Sequence, residues 1–274
     1  MKIAGHDIAV CSWSLQPAGM ADMIAKVRDL GLSDVQLGLL SLIELDDKRK
    51  YLELGHLRTS GIRLASGMIS FPGEDYSTIA DIRRTGGFVP DDQWELRRRL
   101  AREAARFAQE LGIRVVSTHV GFVPVPADPH YVTIRDRVRD AAAEFAGFGV
   151  DLLMETGQER ATELLDFLGD LNAPNVGINF DPANMILYGA GDPNDAIRTL
   201  AAHIRHVHVK DAIASSRPGV DWGQEVSFGT GQVNPRSFLD SLNKAGYAGP
   251  LTIEREAGTD RMRDVRAAIN ALEL

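Results

Sequence analysis

The chain has 274 residues, of which 30 are Lys or Arg and 38 are Asp or Glu, so its formal net charge at pH 7 is −8. Hydrophobic residues make up 44% and charged residues 25%, a composition that is typical of folded globular proteins and excludes a disordered chain. The acidic balance argues against a nucleic-acid partner, because phosphate contacts require a basic surface.

Signals for secretion and for membrane insertion are missing from the sequence. The first residues, MKIAGHDIAV, lack the basic and long apolar stretches of a signal peptide. No apolar run approaches the roughly 20 residues of a membrane span. The single cysteine, Cys11, cannot form an internal disulfide, which fits a reducing compartment. We therefore expect a cytoplasmic protein that does not bind membranes.

Short apolar runs recur along the chain, each rich in Val, Ile and Leu and bounded by turn residues. Such runs are typical of buried strands. The predicted strands are Ile8–Leu15, Asp34–Leu40, Arg63–Ile69, Arg114–Val120, Asp151–Glu155, Val176–Asp181, Ile204–Lys210 and Leu251–Glu254.

Stretches with helical spacing of apolar residues separate these runs. The clearest is Asp91–Leu111, where Gly112 follows as the residue that commonly ends a helix. Eight strands alternating with helices predict a (β/α)₈ TIM barrel, with residues 1–274 as a single domain because no Pro/Gly/Ser-rich linker divides the chain. An open doubly wound sheet is the alternative, but the first run is not followed by a phosphate-binding glycine motif.

Polar residues stand at the C-terminal ends of several predicted strands, where barrel enzymes place their chemistry. Strand alternation points four of them toward the barrel axis: Glu155, Asp181, His208 and Glu254. Three converging carboxylates would repel each other without a cation. The set therefore predicts one divalent metal ion, with Mn²⁺, Mg²⁺ or Co²⁺ favoured and Zn²⁺ as a further option. Ion pairing of these carboxylates with nearby Arg or Lys is the alternative.

The same end of the barrel supplies candidates for substrate binding, for which loop capping, ion pairing and plain packing remain alternatives. The long segment Ala212–Gly231 has the length of a lid. The candidates are His119, Asn184, Lys210, Arg217, Trp13 and Trp222.

Several motifs resemble those of the xylose isomerase-like TIM barrels, specifically the sugar phosphate isomerase/epimerase group with its ketose 3-epimerase and inosose dehydratase relatives. The motifs are MET at 154–156, NFDPAN at 179–184, HVHVKD at 206–211, FGTGQV at 228–233 and LTIERE at 251–256.

The resemblance implies particular roles for the matching residues. Glu155, Asp181, His208 and Glu254 would hold the metal, and the two glutamates would also act as catalytic acid and base. His206 would lie one layer deeper with a structural role, and Glu256 is the runner-up to Glu254. Epimerases and endonuclease IV, a more distant relative, commonly have His where this chain has Asn184. Endonuclease IV needs extra histidines for a three-metal cluster, so the missing histidine counts against DNA repair, while Asn184 can still bind a substrate hydroxyl.

We expect a metal-dependent sugar or sugar phosphate isomerase or epimerase, acting by proton abstraction next to a carbonyl through a metal-stabilised enediolate. A lyase of the inosose dehydratase kind, using the same metal site, is the alternative. A non-catalytic sugar-binding barrel is the less favoured option. The expected partner is a small sugar or sugar phosphate, and homo-oligomerisation stays open.

Overall fold

All eight apolar runs form strands of one closed sheet in the computed structural model, which describes residues 1–273. The strands are β1 Lys2–Ile3, β2 His6–Cys11, β3 Asp34–Gly38, β4 Arg63–Met68, β5 Val115–Thr118, β6 Asp151–Glu155, β7 Val176–Phe180, β8 Ile204–Val209, β9 Asp211–Ile213, β10 Gln224–Val226 and β11 Leu251–Ile253.

Helices follow the strands and pack around the sheet. The α-helices are α1 Met20–Asp29, α2 Leu40–Ile43, α3 Asp47–Arg58, α4 Ile79–Thr85, α5 Trp94–Leu111, α6 Tyr131–Ala146, α7 Ala161–Leu171, α8 Pro182–Tyr188, α9 Pro193–Leu200, α10 Pro235–Lys244 and α11 Arg261–Leu272. None of the helices within residues 1–273 is long and apolar enough to cross a membrane.

Eight parallel strands close the barrel in the order β2, β3, β4, β5, β6, β7, β8, β11. The closing pair is β11 with β2, in parallel register from Leu251 opposite Ile8 to Ile253 opposite Val10. The predicted (β/α)₈ barrel is therefore confirmed. Its core lies between strands and helices, where apolar residues such as Val207, Val209 and Phe180 are fully buried.

Most of the predicted strands extend past the residue at which the observed strand ends. The first strand ends at Cys11 instead of Leu15, and Ser12–Leu15 forms a short 3₁₀ helix. The Gly38 amide donates to Ser12 Oγ at 2.9 Å, so a side chain takes over where the backbone ladder stops. Helix α5 begins at Trp94 instead of Asp91. It ends at Leu111 as predicted, and Gly112 caps it with a left-handed φ of 72°.

Two further pairs of strands were not predicted. β1 pairs antiparallel with β2 at the N-terminus. β9 and β10 form an antiparallel hairpin inside the segment expected to be a long loop. This hairpin follows β8 at the C-terminal end of the barrel, so it stands beside the residues that were predicted to form the site.

Candidate metal centre and its cavity

The four residues predicted as metal ligands meet at one point of the barrel mouth. Glu155, Asp181, His208 and Glu254 are all buried, and each offers an atom within 4.8 Å of the others. His208 Nδ1 lies 2.8 Å from Glu155 Oε1 and 3.4 Å from both Asp181 Oδ2 and Glu254 Oε2. Three acidic side chains thus surround one imidazole nitrogen, with little water to separate them.

The donor atoms of this cluster fit a divalent cation. Asp181 Oδ2 and His208 Nδ1 are buried and have no hydrogen-bond partner among the described residues. Buried polar atoms are normally paired, because leaving one unpaired costs about 1–3 kcal/mol. Oxygen ligands with one imidazole suit Mn²⁺, Mg²⁺ or Co²⁺, so a bound cation would satisfy both atoms.

Hydrogen bonds behind His208 determine which of its nitrogens is free. Nε2 lies 2.6 Å from Gln36 Oε1. The Gln36 amide nitrogen donates to Ser117 Oγ at 2.9 Å, which orients the amide. His208 therefore donates through Nε2, and Nδ1 is the nitrogen that faces the carboxylates. A partner of this kind fixes the tautomer and orientation of a metal-binding histidine.

His206 lies in the layer below and takes no part in the cluster. Its Nδ1 contacts Asn179 Oδ1 at 2.7 Å, and its Nε2 contacts the hydroxyls of Ser66 and Thr252 at 2.9 Å each. Burial lowers the pKa of His206 well below its ordinary value. The residue is thus a neutral, fully bonded part of the barrel interior, as the sequence predicted.

His119 stands against the first of the two candidate catalytic glutamates. His119 Nε2 lies 2.7 Å from Glu155 Oε2. Burial lowers the pKa of His119, but the Glu155 carboxylate outweighs this and raises it to about 9. Burial also raises the pKa of Glu155, and the imidazoles of His119 and His208 lower it well below its ordinary value. Glu155 is therefore ionised between two histidines.

Lys210 and Trp13 hold the second glutamate. Lys210 Nζ donates to Glu254 Oε2 at 2.8 Å and to Glu256 Oε2 at 2.6 Å. Burial lowers the pKa of Lys210, but these carboxylates raise it well above its ordinary value, so the lysine is charged. Trp13 Nε1 donates to Glu254 Oε1 at 2.8 Å. Both glutamates bind Lys210, but only Glu254 belongs to the cluster of candidate ligands, as described within residues 1–273.

A cavity of 730 Å³ opens over the cluster, within the range of small-molecule sites. Aromatic side chains line it together with acidic ones. Trp222 packs edge-on against Tyr188 at 4.8 Å, and its indole nitrogen donates to the Tyr76 carbonyl at 3.0 Å. The loop that carries Trp222 thereby reaches across to the loop after β4 and narrows the mouth.

Five of the six predicted substrate-binding residues line this cavity: Trp13, His119, Asn184, Lys210 and Trp222. Arg217 does not. It is exposed, and its guanidinium pairs with Asp221 at 2.7 Å. Asn184 also lies in the first turn of α8, where its backbone amide donates to Asp181 Oδ1 at 3.0 Å. Asp181 thus caps a helix with one oxygen and leaves the other for the cluster.

Several residues of the site were not predicted from the sequence, among them Gln36, Tyr76 and Glu225. Gln36 sits inside β3 in a run that reads as an ordinary strand, Tyr76 lies in a loop, and Glu225 lies in the unpredicted hairpin. The positions of these three side chains are determined by contacts with residues far away in the sequence. The inward phase of Gln36 within its strand was the one available signal, because a polar side chain there must find a buried partner.

Comparison with known proteins places this geometry in a family. A family model described as xylose isomerase-like TIM barrel matches residues 24–273. L-ribulose-5-phosphate 3-epimerase UlaE of Salmonella heidelberg (strain SL476) is 27% identical over 254 residues, which cover 83% of this chain and 78% of that protein. The chain spans just over half the length of the first two curated relatives it matches.

Solved structures share the fold over nearly the whole chain. A xylose isomerase domain protein from Planctomyces limnophilus is 34% identical, with a TM-score of 0.87 over 98% of this chain and 95% of that one. A xylose isomerase-like TIM barrel protein from Mycobacterium smegmatis, solved in complex with magnesium, is 18% identical, with a TM-score of 0.74 over 100% of this chain and 99% of that one. The second likeness concerns the fold alone.

Proposed function

Because the chain belongs to the xylose isomerase-like TIM barrel family, we propose that it is a metal-dependent isomerase or epimerase of sugars or sugar phosphates. The observation that carries this proposal is the buried cluster of Glu155, Asp181, His208 and Glu254 at the floor of the cavity. An epimerase among the curated relatives supports the same reaction class.

The proposed ligands have two kinds of role. Asp181 and His208 would hold the cation through Oδ2 and Nδ1, two buried atoms that a cation would satisfy. When bound, the divalent ion neutralises the carboxylates and polarises the carbonyl and hydroxyl oxygens of the sugar. Glu155 ends β6 and Glu254 directly follows β11. These are the two outer strands of the four that carry the cluster, so the two glutamates flank its centre.

Proton transfer is assigned to the two flanking glutamates. A carboxylate beside the carbon next to a carbonyl can remove its proton, and a second carboxylate on the opposite face can return one. His119 contacts Glu155, and Lys210 contacts Glu254. The imidazoles of His119 and His208 lower the pKa of Glu155 and hold it in the ionised form that a base requires, and the Lys210 ammonium places a positive charge beside Glu254. The aromatic walls exclude water and position the sugar ring.

Proton exchange tests this function directly. Metal-replete protein is incubated in D₂O with ketoses, ketose phosphates and inososes, and deuterium at the carbon next to the carbonyl is followed by NMR. We expect exchange with at least one of them, and Glu155→Gln should lose most turnover while still binding the sugar. Exposed Glu273→Gln is the control.

The outcomes of this experiment separate the candidates. A rearranged or epimerised product supports the proposal, whereas release of water from the substrate identifies the dehydratase. Absence of exchange with every sugar, in protein shown to be folded and metal-loaded, would contradict an isomerase or epimerase. It would favour the non-catalytic sugar-binding barrel. Normal exchange of both epimers in Glu155→Gln would leave Glu155 as a ligand only.

A further inference from the structure

Glu225 is a buried carboxylate that the proposed reaction does not use. Its side chain on β10 is only 9% exposed. Oε1 accepts hydrogen bonds from Arg255 Nη1 at 2.8 Å and from the Glu256 amide at 2.9 Å, and Oε2 accepts one from the Ala257 amide at 3.1 Å. Two successive backbone amides and a guanidinium thus converge on one anion.

These three donors are the kind that bind phosphate. Guanidinium groups form strong, directional hydrogen bonds to phosphate oxygens, and successive backbone amides make anion-binding concavities. We call the Arg255 guanidinium and the amides of Glu256 and Ala257 the anion cradle. In this protein the cradle is filled by a carboxylate of the chain itself.

The location of the cradle is as informative as its donors. TIM barrels that bind phosphate frequently do so with the loops that follow the seventh and eighth strands. Here those strands are β8 and β11. Glu225 lies in the hairpin after β8, the cradle follows β11, and Glu225 also lines the cavity. An internal anion therefore occupies the place where a substrate phosphate would bind.

The excess of acidic over basic residues in the cavity lining also disfavours a phosphate group. Among the described residues its lining has no arginine, and its cations are Lys210 and His119. Lys210 is already bonded to Glu254 and Glu256, and His119 contacts Glu155. The acidic residues in the lining are Glu44, Glu155, Glu225, Glu254 and Glu256. A phosphate dianion would meet carboxylates and would find no unpaired cation.

We propose that the site takes an unphosphorylated sugar, and that Glu225 is a specificity-determining residue that excludes phosphate esters by filling the anion cradle. This inference rests on the proposed sugar isomerase or epimerase function for the identity of the ligand. The filling of the cradle itself is independent of any reaction. Arg255 Nε also donates to Asp264 Oδ2 at 2.9 Å, a bond that does not involve Glu225, so we expect the emptied cradle to retain its structure.

Three variants separate an empty cradle from a general change of charge. Glu225→Ala removes the charge and empties the cradle. Glu225→Gln removes the same charge but keeps a side chain of the same size in place. Glu44→Ala removes one charge from an exposed lining residue that follows α2 and is outside the cradle. Calorimetric titration with inorganic phosphate measures binding to each variant and to the wild type.

We expect Glu225→Ala to bind inorganic phosphate about tenfold or more tightly than the wild type, Glu225→Gln or Glu44→Ala, because one charged hydrogen bond has about this effect. Equal binding by all three variants, or no gain in Glu225→Ala, would overturn the cradle. Thermal melts verify folding, and Glu225→Ser empties the same space if the alanine variant does not fold.

Exchange in D₂O then links the cradle to substrate choice. The wild type should act on a ketose with kcat/KM about tenfold or more above that for its phosphate ester, and Glu225→Ala should narrow this ratio by a similar factor. A wild type that prefers the phosphate ester contradicts the inference. If no sugar exchanges, the proposed function fails, while phosphate binding by Glu225→Ala still supports the filled cradle.

Discussion

The Gln36 amide makes the shortest contact that orients the imidazole of His208, since its Oε1 accepts from Nε2 at 2.6 Å, whereas Asn179 Nδ2 lies 3.2 Å from the same nitrogen. Gln36→Leu should weaken divalent metal binding by about 10- to 100-fold, because the ring loses the partner that fixes its tautomer. Calorimetric titration with Mn²⁺ at constant pH measures this. Ser117→Ala, which removes only the partner of the Gln36 nitrogen, should have a smaller effect. Unchanged affinity in Gln36→Leu would show that Gln36 does not orient the ring.

The two histidines of β8 should respond differently to replacement. His208→Ala removes the Nδ1 donor and should abolish metal binding. His206→Ala removes three buried contacts from the interior layer and should lower the free energy of unfolding by about 2 kcal/mol or more, with metal binding retained. Urea unfolding and elemental analysis measure the two effects. The reverse pattern would place the metal one layer deeper.

Glu159 provides a pH-dependent test outside the cluster. Its side chain is buried. Within residues 1–273, the one hydrogen bond that Oε1 accepts from another residue comes from the Val123 amide, at 2.8 Å. Burial raises the pKa of Glu159 from 4.5 to about 7. Between these values the folded protein holds a proton that the unfolded chain has lost, so the contribution of Glu159 to stability falls as pH rises through this window.

We therefore expect Glu159→Gln to be less sensitive to pH than the wild type. The wild type should lose about 3 kcal/mol more than Glu159→Gln between pH 4.5 and pH 8, from the size of the pKa change. Urea unfolding at both pH values measures the difference, and Glu273→Gln, exposed at the end of α11, is the control. Equal pH dependence in all three proteins would show that Glu159 ionises normally.

Some of these residues could be predicted from sequence and others could not. Strand alternation places Glu155 and His208 on the inner face because side chains point to opposite faces with a period of two. The contact of His208 with Gln36 spans 172 positions, and no local pattern encodes it. Glu225 was missed for the same reason, since its partners Arg255 and Glu256 lie about 30 positions away.

The hairpin of β9 and β10 shows the limits of sequence patterns for whole elements. Its strands have three residues each, and β10 is polar, with the sequence Gln-Glu-Val, so neither carries the apolar signature of a strand. Among the eight predicted barrel strands, β6 alone has the predicted bounds, Asp151–Glu155. The end of the first strand was predicted at Leu15, but the strand ends at Cys11. Beyond it the Gly38 amide donates to the Ser12 side chain instead of to a backbone carbonyl.

The side chain of Asp211 holds the turn that follows this hairpin, and its contacts let us predict the effect of replacing Gly231 by Ala. Its carboxylate accepts the amides of Gly229, Gly231 and Val233 at 2.8–3.0 Å. A Cβ at Gly231 would collide with Asp211 Oδ1 and lie 2.7 Å from the Ala212 carbonyl oxygen. Gly231→Ala should therefore displace the carboxylate and release the turn.

We expect Gly231→Ala to increase amide hydrogen exchange in residues 211–233 and to raise KM for the sugar more than it lowers kcat, because the hairpin carries cavity residues. Gly55→Ala is a matched control in α3, where a Cβ would meet nothing within 4 Å. That variant should be neutral or up to about 1 kcal/mol more stable, since Ala favours a helix. Exchange unchanged in Gly231→Ala would show that Asp211 does not hold the turn.

At the scale of the whole barrel, the cluster of candidate metal ligands depends on how the strands are staggered. Asp181 lies two residues beyond the β7 residue that pairs with Glu155, and His208 lies level with Asp181. Glu254 again lies two residues beyond the residue that pairs with His208. The pairs that establish this are Glu155 with Asn179, Phe180 with Val207, and His208 with Thr252. Strands of a closed barrel tilt and stagger in this way, so four strand ends reach one point.

A bound cation should therefore stabilise the entire fold, because its ligands join β6, β7, β8 and β11. At a free metal concentration 100 times Kd the gain is about 2.7 kcal/mol, which corresponds to a rise in Tm of about 5 °C or more for a chain of this size. Scanning calorimetry with Mn²⁺ and with a chelator measures it. Glu254→Gln should reduce the rise, whereas exposed Glu273→Gln should keep it.

The rise in Tm should also depend on pH, in a direction fixed by His208. Burial lowers the pKa of His208, but the carboxylates of Glu254 and Glu155 raise it well above its ordinary value. Without metal the imidazole therefore holds a proton at neutral pH, and a cation must displace it to bind Nδ1. Apparent affinity should increase with pH, so the metal-induced rise in Tm should be larger at pH 8 than at pH 6, with proton release on binding. A rise that is equal at both pH values, or equal in Glu254→Gln and the wild type, would place the cation outside this cluster.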